Sequence, residues 1–155
     1  MSLENTPAPN FTLLDQDSKS HTLSDYLGKK VLIYFYPKDM TPGCTVQAEG
    51  MRDTINDFKE ENVQVLGISV DDIKSHKKFV EKHHLNFPLL ADTDKTVVNL
   101  YQVWTEKSMF GKKYMGVNRD SFLINEEGII VKHFPKVNPL THSALVMSYI
   151  KDNNL

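Results

Sequence analysis

Cys44 is the only cysteine in the chain and the residue best placed for chemistry. It lies in the segment TPGC, residues 41–44. Thr41 is a residue type that often caps helix N-termini, and Pro42 suits the first helical position, which places Cys44 near the third. A sulfur at that position lies beside unpaired backbone N–H groups and the positive end of the helix dipole, and both favour thiolate over thiol. The segment therefore predicts a reactive cysteine.

The same residue also fits a structural interpretation. Cys44, Ala48, Met51, Ile55 and Phe58 recur at steps of four, three, four and three, which marks one apolar face of an amphipathic helix. Free cysteines are often small buried hydrophobes. Core packing is therefore the alternative to chemistry at this position.

A thiolate that attacks an O–O bond needs donors aimed at the attacked and departing oxygens. The candidates are the backbone N–H groups of Gly43 and Cys44, the Thr41 hydroxyl, and a guanidinium. Only two arginines are present, Arg52 and Arg119. Arg52 lies two turns along the Cys44 helix, and Arg119 precedes the strand segment SFLIN. By spacing alone, a surface salt bridge explains either arginine as well as a role beside Cys44 does.

Hydrophobic patterning predicts the elements that position these residues. In chain order they are strands over 11–14 and 20–23, a strand over 31–36, a helix from Thr41, a strand over 63–69, a helix over about 73–84, the apolar segment FPLLAD, a helix near 94–102, a loop rich in Lys, Gly and aromatics, a hairpin made by SFLIN and IIVKHF, and a helix from Asn138–Pro139 with Leu140, Ala144, Met147 and Ile150 on one face.

This order is βαβ, an insertion, then ββα, behind an N-terminal strand pair. It predicts an α/β fold of the thioredoxin-like type, with a central mixed sheet flanked by helices. Ligands in open α/β sheets bind beyond the carboxyl ends of the strands. The loop from Pro37 to Thr41 follows the strand over 31–36, so it and the start of the Cys44 helix are expected at that edge.

Length and charge narrow the function classes. A chain of 155 residues fits one domain, 1–155, and a net charge of −2 gives no electrostatic argument for nucleic acid or an anionic membrane as partner. The N-terminal residues resemble neither a signal peptide nor a membrane anchor. One cysteine without a secretion signal predicts a cytoplasmic setting, in which a free thiol stays free.

The segment PKDMTPGC contains P-x-x-x-T-x-x-C at Pro37, Thr41 and Cys44, and this pattern resembles the signature of the peroxiredoxins. The longer FYPKDMTPGCTVQAEGMRD, with VQVLGISVD, NFPLLAD and WTEKSMFGKKYMGVNRDSFLI, closely resembles the peroxiredoxin Q, or bacterioferritin comigratory protein, subfamily. The resemblance covers nearly the whole chain.

The resemblance implies a thiol-dependent peroxidase that reduces hydrogen peroxide and organic hydroperoxides without a metal or organic cofactor. Cys44 would be the peroxidatic nucleophile that becomes a sulfenic acid. Thr41 would hydrogen-bond the sulfur and the peroxide, Arg119 would hold the thiolate and polarise the peroxide, and Pro37 would shield the sulfur from water. The Gly43 N–H would join Thr41, Cys44 and Arg119 in binding the substrate.

The chain departs from the subfamily at Glu49, where many members carry a second cysteine that resolves the sulfenic acid. Five helical residues rotate by about 140° and rise about 7.5 Å, so even a cysteine there would require helix unwinding. The chain therefore predicts a one-cysteine mechanism with an external reductant: thioredoxin, glutaredoxin or glutathione. A Cys44–Cys44 disulfide between chains is another route, and a monomer or weak homodimer is expected.

The remaining candidates favour structural interpretations. None of the six histidines forms H-E-x-x-H or joins a cysteine pair, which argues against a zinc site. Trp104, Phe110 and Tyr114 fit packing over the insertion better than a wall of a substrate site, and Glu49 fits a solvent-facing position.

Two other functions are alternatives to a peroxidase. A thiol–disulfide oxidoreductase would need C-x-x-C, which the residues after Cys44 exclude. A peroxide sensor without turnover, or a binding module on the same fold, stays open.

Overall fold

The structure is a computed structural model, and it describes residues 2–155. The elements in that range, in chain order, are β1 (Thr12–Asp15), β2 (Ser20–Thr22), a 3-10 helix (Leu23–Tyr26), β3 (Lys30–Phe35), α1 (Pro42–Glu60), β4 (Val63–Ser69), α2 (Ile73–His83), β5 (Leu89–Ala91), α3 (Thr96–Leu100), β6 (Trp104–Met109), β7 (Lys112–Val117), β8 (Ser121–Ile124), β9 (Ile130–Phe134) and α4 (His142–Asp152).

Seven of these strands form one mixed sheet in the order β2-β1-β5-β4-β3-β8-β9. β4 runs parallel to β3 and β5, as the βαβ crossovers predict, and β8 pairs antiparallel with β3. The predicted N-terminal strand pair is present, and β1 joins it to the main sheet through β5. The predicted fold class is therefore confirmed.

β3 lies near the centre of the sheet, and all six of its residues are buried. Its side chains alternate between two apolar clusters, one on each face of the sheet. Leu32 and Tyr34 face the cluster that holds α1, and Ile33 and Phe35 face the cluster that holds α3. Helices thus cover both faces, and the carboxyl end of β3 delivers the chain directly to the Pro37–Thr41 loop.

The prediction of a loop after the third helix is wrong, because β6 and β7 form a separate two-stranded antiparallel hairpin there. Met109 pairs with Lys112, so the turn consists of Phe110 and Gly111, both with positive φ (53° and 78°). That backbone is typical of a tight hairpin turn. The strands lack a buried face over most of their length, so no alternation of apolar residues revealed them.

The predicted start of the last helix is also wrong. Residues 138–141 form a turn in which Asn138 Oδ1 accepts from the Leu140 N–H at 2.9 Å, and α4 begins only at His142. Its buried residues are His142, Val146 and Ile150, and Leu140 is 77% exposed. The prediction assumed an entirely apolar face, whereas the buried face begins with a histidine.

Within residues 2–155, no helix is both long and apolar enough to cross a membrane.

Candidate active site

The N-terminus of α1 forms the floor of the site. Thr41 is the N-cap residue, Pro42 is the first helical residue and Cys44 is the third, as predicted. The Thr41 hydroxyl does not cap the helix but donates to the Lys38 carbonyl at 2.8 Å. The backbone N–H groups of Gly43 and Cys44 consequently have no hydrogen-bond partner in the described part of the chain. Two donors are therefore free beside the sulfur.

Cys44 is only 2% exposed and belongs to the apolar cluster on the α1 face of the sheet. Its sulfur nevertheless accepts a hydrogen bond from Arg119 Nη1 at 3.4 Å. Cys44 therefore packs in the core, and it also has the guanidinium contact that the chemical interpretation requires. The guanidinium places a positive charge beside the buried sulfur.

Arg119 and Arg52 have separate surroundings. Arg119 precedes β8, the neighbour of β3 in the sheet, and this pairing brings it to Cys44. Arg52 instead forms an ion pair with Asp53 at 2.9 Å and donates to the His83 carbonyl at 2.7 Å. No hydrogen bond joins Arg52 to Cys44 in residues 2–155.

Gly43 permits the close approach of Arg119. A Cβ atom added at Gly43 would lie 3.1 Å from Arg119 Nη2 and 3.8 Å from the Pro139 ring. A side chain at this position would require the guanidinium to shift by a few tenths of an ångström.

A buried polar chain that was not predicted from the sequence continues from Arg119. Arg119 Nη1 donates to Gln47 Oε1 at 2.7 Å, Gln47 Nε2 lies 3.0 Å from His142 Nδ1, and His142 Nε2 lies 2.6 Å from Ser121 Oγ. All three partners beyond Arg119 are at most 1% exposed. The one available signal was Gln47 itself, a polar residue one turn after Cys44 beside an apolar helix face.

The direction of this chain follows from its first bond. Gln47 uses its oxygen to accept from Arg119, so its amide N–H must donate to His142 Nδ1. His142 is then neutral, with its proton on Nε2 directed at Ser121. Burial, and secondarily the nearby Arg119 charge, lowers the pKa of His142 to about 3, which agrees with this assignment.

A second polar network holds the Pro37–Thr41 loop. Buried Asp39 accepts from the Tyr36 hydroxyl at 2.6 Å and from the Ser75 hydroxyl at 2.8 Å, and its Oδ2 lies 2.7 Å from His76 Nδ1. His76 Nε2 lies 3.0 Å from the Leu90 carbonyl oxygen, so both ring nitrogens face acceptors. The network thereby joins the loop to α2 and β5.

Asp39, Asp71 and His76 are the one group of potential metal ligands found within the described residues, with ligand atoms within 4.8 Å of one another. Asp71 Oδ2 accepts from the Asp39 N–H at 2.8 Å and from the Ser69 hydroxyl at 2.7 Å. These oxygens and the His76 nitrogens already have partners in the protein. The group is therefore a structural network around the loop.

Glu49, predicted to face solvent, is partly exposed and connects two helices. Its Oε2 lies 3.8 Å from Arg52 Nη1 and 3.5 Å from His83 Nδ1 at the end of α2.

The aromatic residues of the hairpin differ from the packing expectation. Trp104 packs against the core cluster, whereas Phe110 is 98% exposed and Tyr114 is exposed as well.

Comparison with known proteins decides the family. The family model described as AhpC/TSA family matches residues 5–133. The chain belongs to the AhpC/TSA family. This is a family of thiol-dependent peroxidases, and the enzyme class predicted from the sequence is confirmed.

Relatives within the family identify the subfamily. The chain is 49% identical to the putative peroxiredoxin bcp of Haemophilus influenzae over 144 residues, which cover 93% of each chain. It is 47% identical to the peroxiredoxin Bcp of Escherichia coli K12 over 146 residues, which cover 94% of each. The predicted resemblance to the bacterioferritin comigratory protein subfamily is therefore confirmed.

Solved structures confirm the thioredoxin-like fold. The bacterioferritin comigratory protein of Xanthomonas campestris is similar to this peroxiredoxin with a TM-score of 0.87 and 34% identity, covering 92% of this chain and 91% of its own. A cysteine mutant of Xylella fastidiosa PrxQ gives a TM-score of 0.91 with 31% identity and covers all of both chains.

Proposed function

We propose that this peroxiredoxin works by a one-cysteine mechanism in which Cys44 is the peroxidatic nucleophile. The observation that carries the proposal is the position of the only cysteine at the third residue of α1, with Arg119 Nη1 3.4 Å from its sulfur. The thiolate attacks the hydroxyl oxygen of a hydroperoxide ROOH. An S–O bond forms, the O–O bond breaks, and the departing RO⁻ takes a proton to give ROH and a Cys44 sulfenic acid.

The surrounding groups supply charge stabilisation and exclusion of water. Arg119 and the free N–H groups of Gly43 and Cys44 offer donors to the thiolate and to the departing oxygen. The Thr41 hydroxyl already donates to a carbonyl, so its oxygen is oriented to accept from the peroxide O–H. Pro37 follows β3 and is partly buried, and its proposed role is to shield the sulfur from water.

The second half of the cycle uses an external thiol. One thiol attacks the sulfenic acid to form a mixed disulfide and water, and a second thiol releases the Cys44 thiolate as the external disulfide forms. Glu49 replaces the usual resolving cysteine, so no internal disulfide is available. A disulfide between two chains would require two buried sulfurs to come within about 2 Å, which argues for thioredoxin, glutaredoxin or glutathione instead.

Hydrogen peroxide and organic hydroperoxides are the proposed substrates. The similar Xanthomonas campestris protein is described by its alkyl peroxide reduction activity. Met40, beside Thr41, and Val46, close after Cys44, have exposed apolar side chains. These side chains suit contact with the alkyl group of an organic hydroperoxide.

The test is peroxide consumption, first with protein in excess and then with peroxide in excess. Thioredoxin, glutaredoxin and glutathione systems are compared, with Cys44→Ser as the blank. We expect multiple turnovers with at least one reductant and none in the blank. Mass spectrometry of peroxide-treated protein should show an adduct on Cys44, and its absence would refute the mechanism. One stoichiometric reaction without turnover would instead identify a peroxide sensor.

A further inference from the structure

A cleft rich in hydrogen-bond donors is lined by Arg119, the residue that contacts the Cys44 sulfur. It has a volume of about 490 Å³ and lies between the β6–β7 hairpin and the turn after β9, with Lys107, Arg119 and Lys136 among its lining residues. Its one carboxylate, Glu106, is exposed and lies 3.7 Å from Lys113. Arg119 lines the cleft and also contacts Cys44, so this one side chain connects the cleft to the sulfur.

Lys107 is a partly desolvated cation without a counter-ion. Its Nζ donates to the Val117 carbonyl at 2.5 Å, and no carboxylate in residues 2–155 lies within 4.0 Å of it. Burial lowers the pKa of Lys107, and the Arg119 charge lowers it further. An anion in the cleft would offset the repulsion from Arg119 and would accept hydrogen bonds from the remaining Nζ protons.

Asn118 adds a neutral donor to the same cleft. Its side-chain oxygen accepts from the Thr105 hydroxyl at 2.7 Å, which leaves the amide NH₂ without a partner in the described residues. Ammonium, guanidinium and amide donors around one opening are the chemistry that recognises a carboxylate.

We propose that this cleft binds the carboxylate of a small thiol reductant, of which glutathione is the example. The inference rests on the one-cysteine mechanism proposed above. Oxidised Cys44 has no cysteine partner in the chain, and the residue is 2% exposed, which favours a small thiol over a protein surface. A carboxylate held at Lys107 and Lys136 anchors such a thiol beside Arg119. The thiol sulfur then attacks the sulfenic acid, a disulfide bond forms, and water leaves.

The test separates the carboxylate from the thiol. Protein oxidised with one equivalent of hydrogen peroxide is mixed with glutathione or with its ethyl ester, and the rate of sulfenic acid loss is measured by stopped flow. The quantity compared is the ratio of the acid rate to the ester rate, so a general change in Cys44 reactivity cancels. Lys107→Gln and Lys136→Gln are compared with Lys112→Gln, an exposed lysine of the same hairpin that does not line the cleft.

We expect Lys107→Gln to lower the ratio about tenfold, Lys136→Gln to lower it less, and Lys112→Gln to leave it unchanged. A ratio near one in the wild type, or equal ratios in all variants, would overturn the inference. A second arm measures oxidation of the reduced protein by a carboxylate-bearing hydroperoxide and its methyl ester. If Lys107→Gln changes only this ratio, the cleft serves the oxidant and the reductant assignment is wrong.

The two proposals fail in different ways. If hydrogen peroxide produces no Cys44 sulfenic acid, the one-cysteine mechanism fails. If the sulfenic acid forms and glutathione removes it without dependence on the cleft lysines, only the carboxylate site fails. Lys136→Gln keeps the test decisive if Lys107→Gln does not fold.

Discussion

Replacing Gln47 tests whether the buried polar chain acts through Arg119. The substitution Gln47→Met keeps the volume but removes the acceptor that lies 2.7 Å from Arg119 Nη1. A hydrogen bond from a charged donor contributes about 1.5–3 kcal/mol, and its loss lets the guanidinium leave the sulfur. If that energy is expressed in the transition state, the rate falls by about ten- to a hundredfold.

The assay is single-turnover oxidation of Cys44 by hydrogen peroxide, which does not depend on the reductant. Gln47→Met should slow oxidation and lower the ultraviolet thiolate absorbance at neutral pH. Gln64→Met, which removes a partly buried glutamine on β4, is the matched control and should do neither. Gln47→Glu should retain more of the rate, because a carboxylate still accepts from Arg119.

A double-mutant cycle with Arg119→Met gives the decisive result. If Gln47 acts by positioning Arg119, adding Gln47→Met to Arg119→Met should change the rate by less than about twofold. A full Gln47→Met effect in the Arg119→Met background would refute this reasoning and assign Gln47 a role independent of the guanidinium. Gln47→Met also leaves His142 Nδ1 unpaired, which should lower the free energy of unfolding by about 1–3 kcal/mol. Thermal unfolding of each variant measures this loss of stability separately from the rate.

Three further predictions concern stability. The lowered pKa of His142, about 3 against an ordinary 6.5, means that the unfolded state binds this proton first as pH falls, so stability declines below about pH 6.5. Over the first two pH units below 6.5, the free energy of unfolding in urea should fall by roughly 2–3 kcal/mol less in His142→Asn than in the wild type. Identical pH profiles of the two proteins would contradict this prediction. Asp39→Ala should destabilise the fold by about 2–6 kcal/mol in the same assay, because it leaves the buried Tyr36 hydroxyl and His76 Nδ1 without their acceptor, and a loss below about 1 kcal/mol would contradict this. Phe110→Ser should change the melting temperature little, since the ring is 98% exposed, and a marked loss would show that the ring packs in solution.

The elements around Cys44 were predictable because their signals are local. The TPGC segment contains a capping residue type, a proline and the cysteine in consecutive positions, and α1 begins there. The six-residue apolar run over 31–36 predicted a strand covered on both faces, and β3 is buried over its whole length. The β6–β7 hairpin was missed because a strand pair with little buried surface has no apolar alternation to detect.

The partners of Cys44 depend on contacts that no local pattern records. Arg119 is 75 residues from Cys44, and His142 is 95 residues from Gln47. These residues meet because β8 pairs with β3 and α4 packs beside α1, and the pairing of strands depends on the whole sheet.

The sequence by itself determined the candidate nucleophile, the helix that carries it, the order of the main elements and the absence of a second cysteine, because each depends on residue types at short spacing. The tertiary structure alone decided that Arg119 rather than Arg52 reaches the sulfur, and that Gln47 and His142 support it. The physical reason is that a guanidinium contributes only where the fold places and desolvates it, and both conditions arise when distant segments pack together.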